Sequence, residues 1–143
     1  MAPQIATERA AFRPAFQRAR KVLVIEEDPR DRDRFSRVLR KHGFDVKACD
    51  SITEGVRLLE EGHFDFILVE QGSKAFEGRQ VLERVLAIDR RLPTVVLTRC
   101  VDMQCYLEAM QMGAVDYLEK PLLSEIDIVR VVETHLRPQS NAA

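Results

Sequence analysis

The sequence predicts an α/β domain whose parallel β-sheet is covered by helices on both faces. The first observation is that five short runs rich in Val, Ile and Leu recur along the chain, as expected of buried strands. The second is that a segment with helical periodicity follows each run, which is typical of parallel sheets with right-handed crossovers. The third is the length of 143 residues, which suits one compact domain.

The first two strands and helices are marked by apolar runs and by end signals. The run KVLVIE begins at Lys21 and predicts the first strand. The segment PRDRDRFSRVLRKHG predicts a helix, because Pro29 suits a first turn and Gly43 suits a helix end. FDVKAC predicts a second strand, and the next helix opens with a capping box formed by Ser51 and Glu54.

The remaining elements continue this alternation. FDFILVE and PTVVLT predict the third and fourth strands, and GRQVLERVLAIDRR predicts the helix between them. Asp102 is placed to cap the helix MQCYLEAMQM, which Gly113 ends. AVDYLEK predicts the fifth strand, after which Ser124 caps a last helix that runs to about Leu136.

These predicted elements divide the chain into three parts. We expect residues 1–20 to form an N-terminal extension, in which Pro14 interrupts an amphipathic helical pattern. We expect residues 21–137 to form the domain and residues 138–143 a C-terminal tail. Because this tail is too short for an output domain, we expect output through protein–protein contacts.

The composition argues against several classes of protein. Apolar residues make up 45% and charged residues 31%, which is typical of a globular chain. No apolar run approaches the ~18 residues of a membrane span, and three cysteines without a pairing pattern favour a reducing compartment. The net charge of −1 and the absence of an aromatic-flanked basic stripe argue against nucleic-acid binding. We therefore expect a cytoplasmic protein that contacts neither membrane nor nucleic acid directly.

Polar side chains follow four of the five predicted strands. They are Glu26, Glu27, Glu70, Thr98 and Lys120. Because the carboxyl ends of parallel strands meet at one edge of the sheet, we expect these side chains to share a single rim. Open α/β sheets bind their ligands at this edge, so the rim is the candidate functional site.

The order of these segments resembles the receiver domain of bacterial two-component response regulators, over about residues 21–137. The matching motifs are VLVIEEDP, DFILVEQGSKAFEG, PTVVLT and GAVDYLEKP, which are weak singly and specific together. The resemblance implies a flavodoxin-like (βα)5 fold with a doubly wound parallel sheet of five strands in the order 2-1-3-4-5. It also implies a sensor histidine kinase, a phosphotransfer protein or a downstream target protein as partner, and no enzymatic activity.

Three carboxylates of this family hold Mg²⁺, and the one after the third strand accepts a phosphoryl group. The matching residues are the acidic pair Glu26 and Glu27 and, at the phosphoacceptor position, Glu70. All three are glutamates where the family has aspartates, and each carries its carboxylate about 1 to 1.5 Å further from the backbone. Because Mg²⁺ requires near-ideal octahedral geometry, we expect Glu27 and Glu70 to bind Mg²⁺ or another divalent cation weakly or not at all.

The resemblance assigns the other rim residues to the phosphate and to the conformational switch. Thr98 and Lys120 match the phosphate contacts, and Tyr117 matches the aromatic residue that moves with the switch. Pro121 matches the proline whose cis peptide bond directs Lys120 into the pocket. Arg99 departs from the family, which usually has a small residue there, and is expected to modify the pocket.

These departures favour a single-domain pseudo-receiver that acts by protein–protein contacts. We hypothesise that Arg99 or Lys120 pairs with Glu70 and fixes one switch state without phosphorylation. The alternative is a functional Mg²⁺-dependent phosphoacceptor receiver for a histidine kinase. A flavin-binding module of the same fold is less favoured, because the acidic segment EEDPRD would repel the flavin phosphate.

The expected contact surface is formed by residues 102–136. Its helix carries flexible apolar side chains suited to variable partners, namely Met103, Tyr106, Met110 and Met112. The family dimerises or docks targets through this face, so we expect a homodimer through it.

Overall fold

The computed structural model describes residues 18–122, 124–136 and 138, which form a five-stranded parallel sheet and five helices. The strands are β1 (Lys21–Ile25), β2 (Asp45–Cys49), β3 (Phe66–Glu70), β4 (Thr94–Thr98) and β5 (Asp116–Glu119). The helices are α1 (Pro29–Lys41), α2 (Ile52–Glu61), α3 (Arg79–Ile88), α4 (Met103–Gln111) and α5 (Glu125–His135). The strand order β2-β1-β3-β4-β5 confirms the predicted fold. Most of the predicted extension (residues 1–17) and of the predicted tail (residues 139–143) lies outside the described residues.

The sheet is buried between two apolar layers, because successive side chains of a strand point to opposite faces. On one face, Val24 of β1 belongs to a cluster with Phe35 of α1 and Ile128 of α5. On the other face, Leu23 shares a cluster with side chains of α2, α3 and α4, including Leu82. None of the helices in the described ranges is long and apolar enough to cross a lipid bilayer.

Polar caps begin the helices where the sequence predicted them, with one difference. The hydroxyl of Ser51 accepts a hydrogen bond from the Glu54 N–H at 3.1 Å, as predicted. The second half of the predicted capping box is wrong, because the Glu54 carboxylate bonds Arg57 one turn further along α2 instead. The side chains of Asp102 and Ser124 cap α4 and α5 as predicted. Each accepts a hydrogen bond from a backbone N–H in the first turn of its helix, at 3.0 and 3.2 Å respectively.

The last residues of the predicted N-terminal extension are bound to the edge of the domain opposite the rim. The buried carboxylate of Asp65 accepts a hydrogen bond from Nη1 of Arg18 at 2.9 Å and from the backbone N–H of Lys21 at 2.8 Å. Burial alone would raise the pKa of Asp65, but these donors lower it below the ordinary value. The start of β1 is therefore fixed by a charged side chain that precedes it.

The register of the sheet brings the strand ends to a common level. Strands β1 and β3 end side by side, so Glu26 leaves β1 next to Glu70. Strands β4 and β5 also end side by side, which places Lys120 just beyond the level of Thr98. The sheet itself thus gathers the predicted rim residues at one edge.

Candidate functional site

The ammonium group of Lys120 lies at the centre of the rim and is surrounded by carboxylates. Its Nζ is 2.7 Å from Oε1 of Glu26. The same nitrogen lies 3.2 Å from Oδ2 of Asp31 and 3.5 Å from Oε2 of Glu70. The Lys120 side chain has no solvent-exposed surface, and the peptide bond from Lys120 to Pro121 is cis. The structure therefore brings Glu26, Glu70 and Lys120 together, as the sequence predicted.

Glu26 and Lys120 form a buried pair, and burial affects the ionisation of the two groups differently. Burial raises the pKa of Glu26 to about 7, although the hydrogen bond to Lys120 acts in the opposite direction. Burial alone would lower the pKa of Lys120, but its contacts with Glu26 and Glu70 raise it above the ordinary value. Lys120 therefore keeps its proton at neutral pH, whereas burial makes Glu26 easier to protonate than an ordinary glutamate.

The predicted acidic pair is split between two environments. Glu26 is buried, whereas the side chain of Glu27 is exposed. The backbone N–H of Glu27 donates to Oε1 of Glu70 at 3.1 Å, which aligns the Glu70 carboxylate with the loop after β1. Beside them lies an open cleft of about 430 Å³, whose carboxylates are those of Glu27, Asp50, Glu70 and Glu77.

Arg99 pairs with carboxylates at the start of α1 rather than with the carboxylate of Glu70. Its Nη2 lies 2.6 Å from Oδ2 of Asp31 and 3.1 Å from Oδ2 of Asp28. Of the two cations predicted to pair with Glu70, Lys120 does so and Arg99 does not. The reason is geometric, because the N-terminal turn of α1 presents its carboxylates nearer to the loop after β4.

Sequence reasoning missed Asp28 and Asp31 as pocket residues. Asp28 caps α1 by accepting from the N–H of Arg30 at 2.8 Å, and Asp31 lies in the first turn. Asp31 contacts both Arg99 and Lys120 from this turn. The available signal was the position of both aspartates within four residues after Glu27.

Thr98, predicted to contact phosphate, is bonded to the loop that follows it. Its Oγ1 donates to the carbonyl of Cys100 at 2.9 Å and accepts from the N–H of Cys100 at 3.1 Å. The Thr98 side chain is buried. The hydroxyl therefore shapes the turn that carries Arg99.

Tyr117 lies inside the domain and bonds a residue that the sequence analysis did not single out. Its hydroxyl donates to Oε1 of Gln71, the buried residue directly after Glu70. The same hydroxyl accepts a hydrogen bond from the N–H of Asp102 at 3.1 Å. Burial raises the pKa of the phenol above its ordinary value. The signal for Gln71 was an amide side chain directly after Glu70, the last residue of a strand that is otherwise apolar.

The oxygen atoms of the rim do not match the magnesium site that the resemblance implies. The carboxylate of Glu26 bonds Lys120 and accepts from the N–H of Asp28 at 3.2 Å, so both its oxygens have partners. One oxygen of Glu70 accepts from the N–H of Glu27. Within the described part of the chain, no group of three or more Asp, Glu, His or Cys side chains is arranged to hold a metal ion. The residues present therefore do not fit Mg²⁺.

Two curated relatives show how much of a longer protein this chain matches. The chain is 28% identical over 125 residues to the two-component response regulator ARR11 of Arabidopsis thaliana, covering 85% of this chain and 23% of that protein. It is 28% identical over 122 residues to the transcriptional regulatory protein FixJ of Bradyrhizobium diazoefficiens, covering 85% and 59%. The chain thus spans less than two thirds of the length of these relatives.

Solved structures share the fold at low identity. A CheY-like receiver domain protein from Methanospirillum hungatei JF-1 has a TM-score of 0.76 at 19% identity, covering 82% of this chain and 93% of that one. HP1043, an orphan response regulator of H. pylori, has a TM-score of 0.73 at 23% identity, covering 82% and 97%. The family model for the response regulator receiver domain matches residues 22–133. Because this match covers more than half of the chain, the chain belongs to the receiver domain family of two-component response regulators.

Proposed function

We propose that this receiver domain is a pseudo-receiver that signals through protein–protein contacts without phosphorylation of Glu70. The observation that carries the proposal is the buried ammonium of Lys120 among three carboxylates, those of Glu26, Asp31 and Glu70. Clustered carboxylates repel one another unless a cation compensates them. Here Lys120 and Arg99 of the chain itself provide part of this compensation, which supports a pocket that needs neither metal nor phosphate.

The position of the Glu70 carboxylate also disfavours phosphoryl transfer. Its two oxygens are occupied by the N–H of Glu27 at 3.1 Å and the ammonium of Lys120 at 3.5 Å. Phosphoryl transfer depends on placing the acceptor in line with the phosphorus and on neutralising charge around it. A displacement of about 1 Å costs on the order of 100-fold in rate. The longer glutamate side chain therefore supports a pocket that does not react.

Arg99 supports the same conclusion from the outer side of the pocket. Its guanidinium lies with Asp28 and Glu27 at the mouth of a second open cleft, which also borders Glu70. Because this guanidinium binds the carboxylates of Asp28 and Asp31, those oxygens are less available to a divalent cation. We therefore propose that no cofactor is needed and that Mg²⁺ binds weakly at most.

The partners proposed for this domain are proteins of a two-component system in the cytoplasm. They are a sensor histidine kinase, a phosphotransfer protein or a downstream target. We propose residues 102–136 as the contact surface, because α4 exposes Met103 and Leu107 one turn apart. The domain is proposed to have no enzymatic activity and no direct contact with nucleic acid or membrane.

Incubation with acetyl phosphate and Mg²⁺, followed by intact-protein mass spectrometry, tests the proposal. We expect no phosphorylated species for the wild-type protein. The matched variants are Glu70→Asp, which restores the family's acceptor, and Glu70→Gln, which removes the carboxylate. A stoichiometric phosphoprotein that maps to Glu70 and is lost in Glu70→Gln would refute the pseudo-receiver.

A functional phosphoacceptor receiver is the second candidate. One observation favours it: the Glu70 side chain keeps 23% of its surface exposed and borders the open cleft beside Glu27. A phosphodonor could therefore reach the carboxylate. The acetyl phosphate experiment separates the two candidates, because only this one predicts an acyl phosphate on Glu70.

A further inference from the structure

We propose that Gln71 is a positioning residue, whose side-chain carbonyl keeps Tyr117 inside the domain and so determines the shape of the exposed face of α4. The inference rests on the proposed function, because Gln71 would maintain the one switch state that the pseudo-receiver adopts. Its structural basis is independent of any chemistry at Glu70.

The backbone of Gln71 is fixed on both sides, which directs its side chain into the domain. Its N–H donates to the carbonyl of Leu97 at 2.8 Å, and its carbonyl accepts from the N–H of Gly78 at 3.0 Å. A Cβ atom at Gly78 would lie 2.4 Å from the carbonyl oxygen of Glu70, so the chain approaches too closely there for any other residue. Gln71 is 1% exposed, and its Nε2 donates to the carbonyl of Ser73 at 3.3 Å.

The remaining polar atom of this amide, Oε1, accepts the hydroxyl proton of Tyr117. The other acceptor near that hydroxyl is the carbonyl of Asp102, at 3.4 Å, which is a longer contact. The hydroxyl of Thr98 also lies near enough to lower the pKa of the phenol, and its own proton is donated to the carbonyl of Cys100. A hydroxyl has a single proton to donate, so Gln71 provides its main acceptor. Without that acceptor, the buried hydroxyl would bear an uncompensated loss of hydration.

The position of Tyr117 is transmitted to the surface in two ways. Its hydroxyl accepts from the N–H of Asp102, the residue that caps α4. Its ring meets the ring of Tyr106 edge-on, with centroids 5.6 Å apart and planes at 74°. Tyr106 lies on the exposed side of α4, near Met103 and Leu107. An outward movement of Tyr117 would therefore remove a cap contact and an aromatic contact from α4 together.

The protein allows a direct optical test, because it contains two tyrosines and no tryptophan. In a Tyr106→Phe background, all tyrosine emission comes from Tyr117. We expect Gln71→Met, which removes the acceptor and keeps an unbranched side chain, to increase acrylamide quenching of this emission. The ratio of outward to inward conformers should rise by about 10-fold, the order of magnitude of one lost buried hydrogen bond. The pKa of the phenol, raised by burial, should fall towards its ordinary value of 10.

Two further variants make the result specific. Gln80→Leu, at an exposed position of α3, should leave quenching and phenol titration as in the parent. Gln71→Glu, measured at a pH where its buried carboxyl is protonated, keeps an acceptor for Tyr117 and a donor for Ser73 and should keep Tyr117 shielded. Unchanged quenching and unchanged titration in a cooperatively folded Gln71→Met protein would overturn the proposal.

A double-mutant cycle covers the case in which Gln71→Met does not give a usable optical signal. The substitution should raise the unfolding equilibrium constant in the parent about 10-fold and much less in a Tyr117→Phe background. Equal effects in both backgrounds would overturn the proposal. These measurements contain no phosphodonor, so phosphorylation of Glu70 would refute the pseudo-receiver and leave this result unaffected.

Discussion

At the scale of the residue, the pocket is governed by one cation shared among several carboxylates. The Lys120 ammonium lies nearest to Glu26, and both side chains are buried. Removing one member of such a pair leaves an uncompensated buried charge, unless the remaining group changes its protonation. Glu26 has this option, because burial raises its pKa to about 7. The charge of the pocket therefore depends on pH near neutrality.

A first prediction concerns the pH dependence of stability. The folded protein retains the proton of Glu26 up to about pH 7, whereas the unfolded chain releases it near 4.5. Between these values the folded state binds more protons, so rising pH destabilises it. We expect the free energy of unfolding of wild type relative to Glu26→Gln to fall by about 2 to 3 kcal/mol over this range and then to level off.

Urea unfolding at a series of pH values measures this difference. The control is Glu27→Gln, which removes the neighbouring exposed carboxylate and should preserve the wild-type trend. A difference between wild type and Glu26→Gln that is flat, or that increases with pH, would contradict the assignment of a buried proton to Glu26.

At the scale of the element, the rim depends on how closely α2 approaches β1. Gly55 of α2 faces Ile25, the last residue of β1 before the acidic pair. A Cβ atom at Gly55 would lie 2.4 Å from Cδ1 of Ile25, which is far inside van der Waals contact. Glycine thus permits close packing at the point where β1 delivers Glu26 to the pocket.

We predict that Gly55→Ala destabilises the protein although alanine favours helix. Overpacking a core contact costs about 1 to 3 kcal/mol, whereas the gain in helix propensity is at most about 1 kcal/mol. Urea unfolding gives the net effect. Adding Ile25→Val removes the crowded methyl group and should recover part of the loss, and a Gly55→Ala protein as stable as wild type would show that α2 can move away.

At the scale of the whole molecule, exposed apolar side chains are concentrated beside β5, the edge strand that carries Tyr117. Met103 is 67% exposed and Leu107 44%, and both lie on one face of α4. Val101 precedes this helix and is 57% exposed. Contiguous exposed apolar surface favours association with another protein surface.

We predict that this face supports self-association. Sedimentation velocity over a range of concentrations should show a reversible dimer for the wild-type protein. The double substitution Met103→Glu with Leu107→Glu should weaken it strongly, because charged groups would be buried at the interface. The control is Ile88→Glu, an exposed apolar position at the end of α3. A monomer at all concentrations, or an equal effect of the control, would contradict the prediction.

The sequence by itself determined the fold and the convergence of the rim. Apolar strands alternating with capped helices favour a parallel sheet covered on both faces, and the resemblance to receiver domains supplied the strand order. The carboxyl ends of such strands meet at one edge whatever their side chains, so the meeting of Glu26, Glu70 and Lys120 followed from their positions after strands.

Only the tertiary structure decided which charges and hydrogen bonds are paired. Glu26 turns inward and Glu27 outward, although they are adjacent and identical in type. Arg99 binds Asp31 rather than Glu70, and Gln71 meets Tyr117 across the sheet. These pairings depend on the paths of the loops and on the length and burial of the side chains. The alternative pairings differ by only a few ångströms in the distance between charged or polar atoms. Electrostatic and hydrogen-bond energies change steeply over such distances, whereas the periodic pattern of the sequence does not register them.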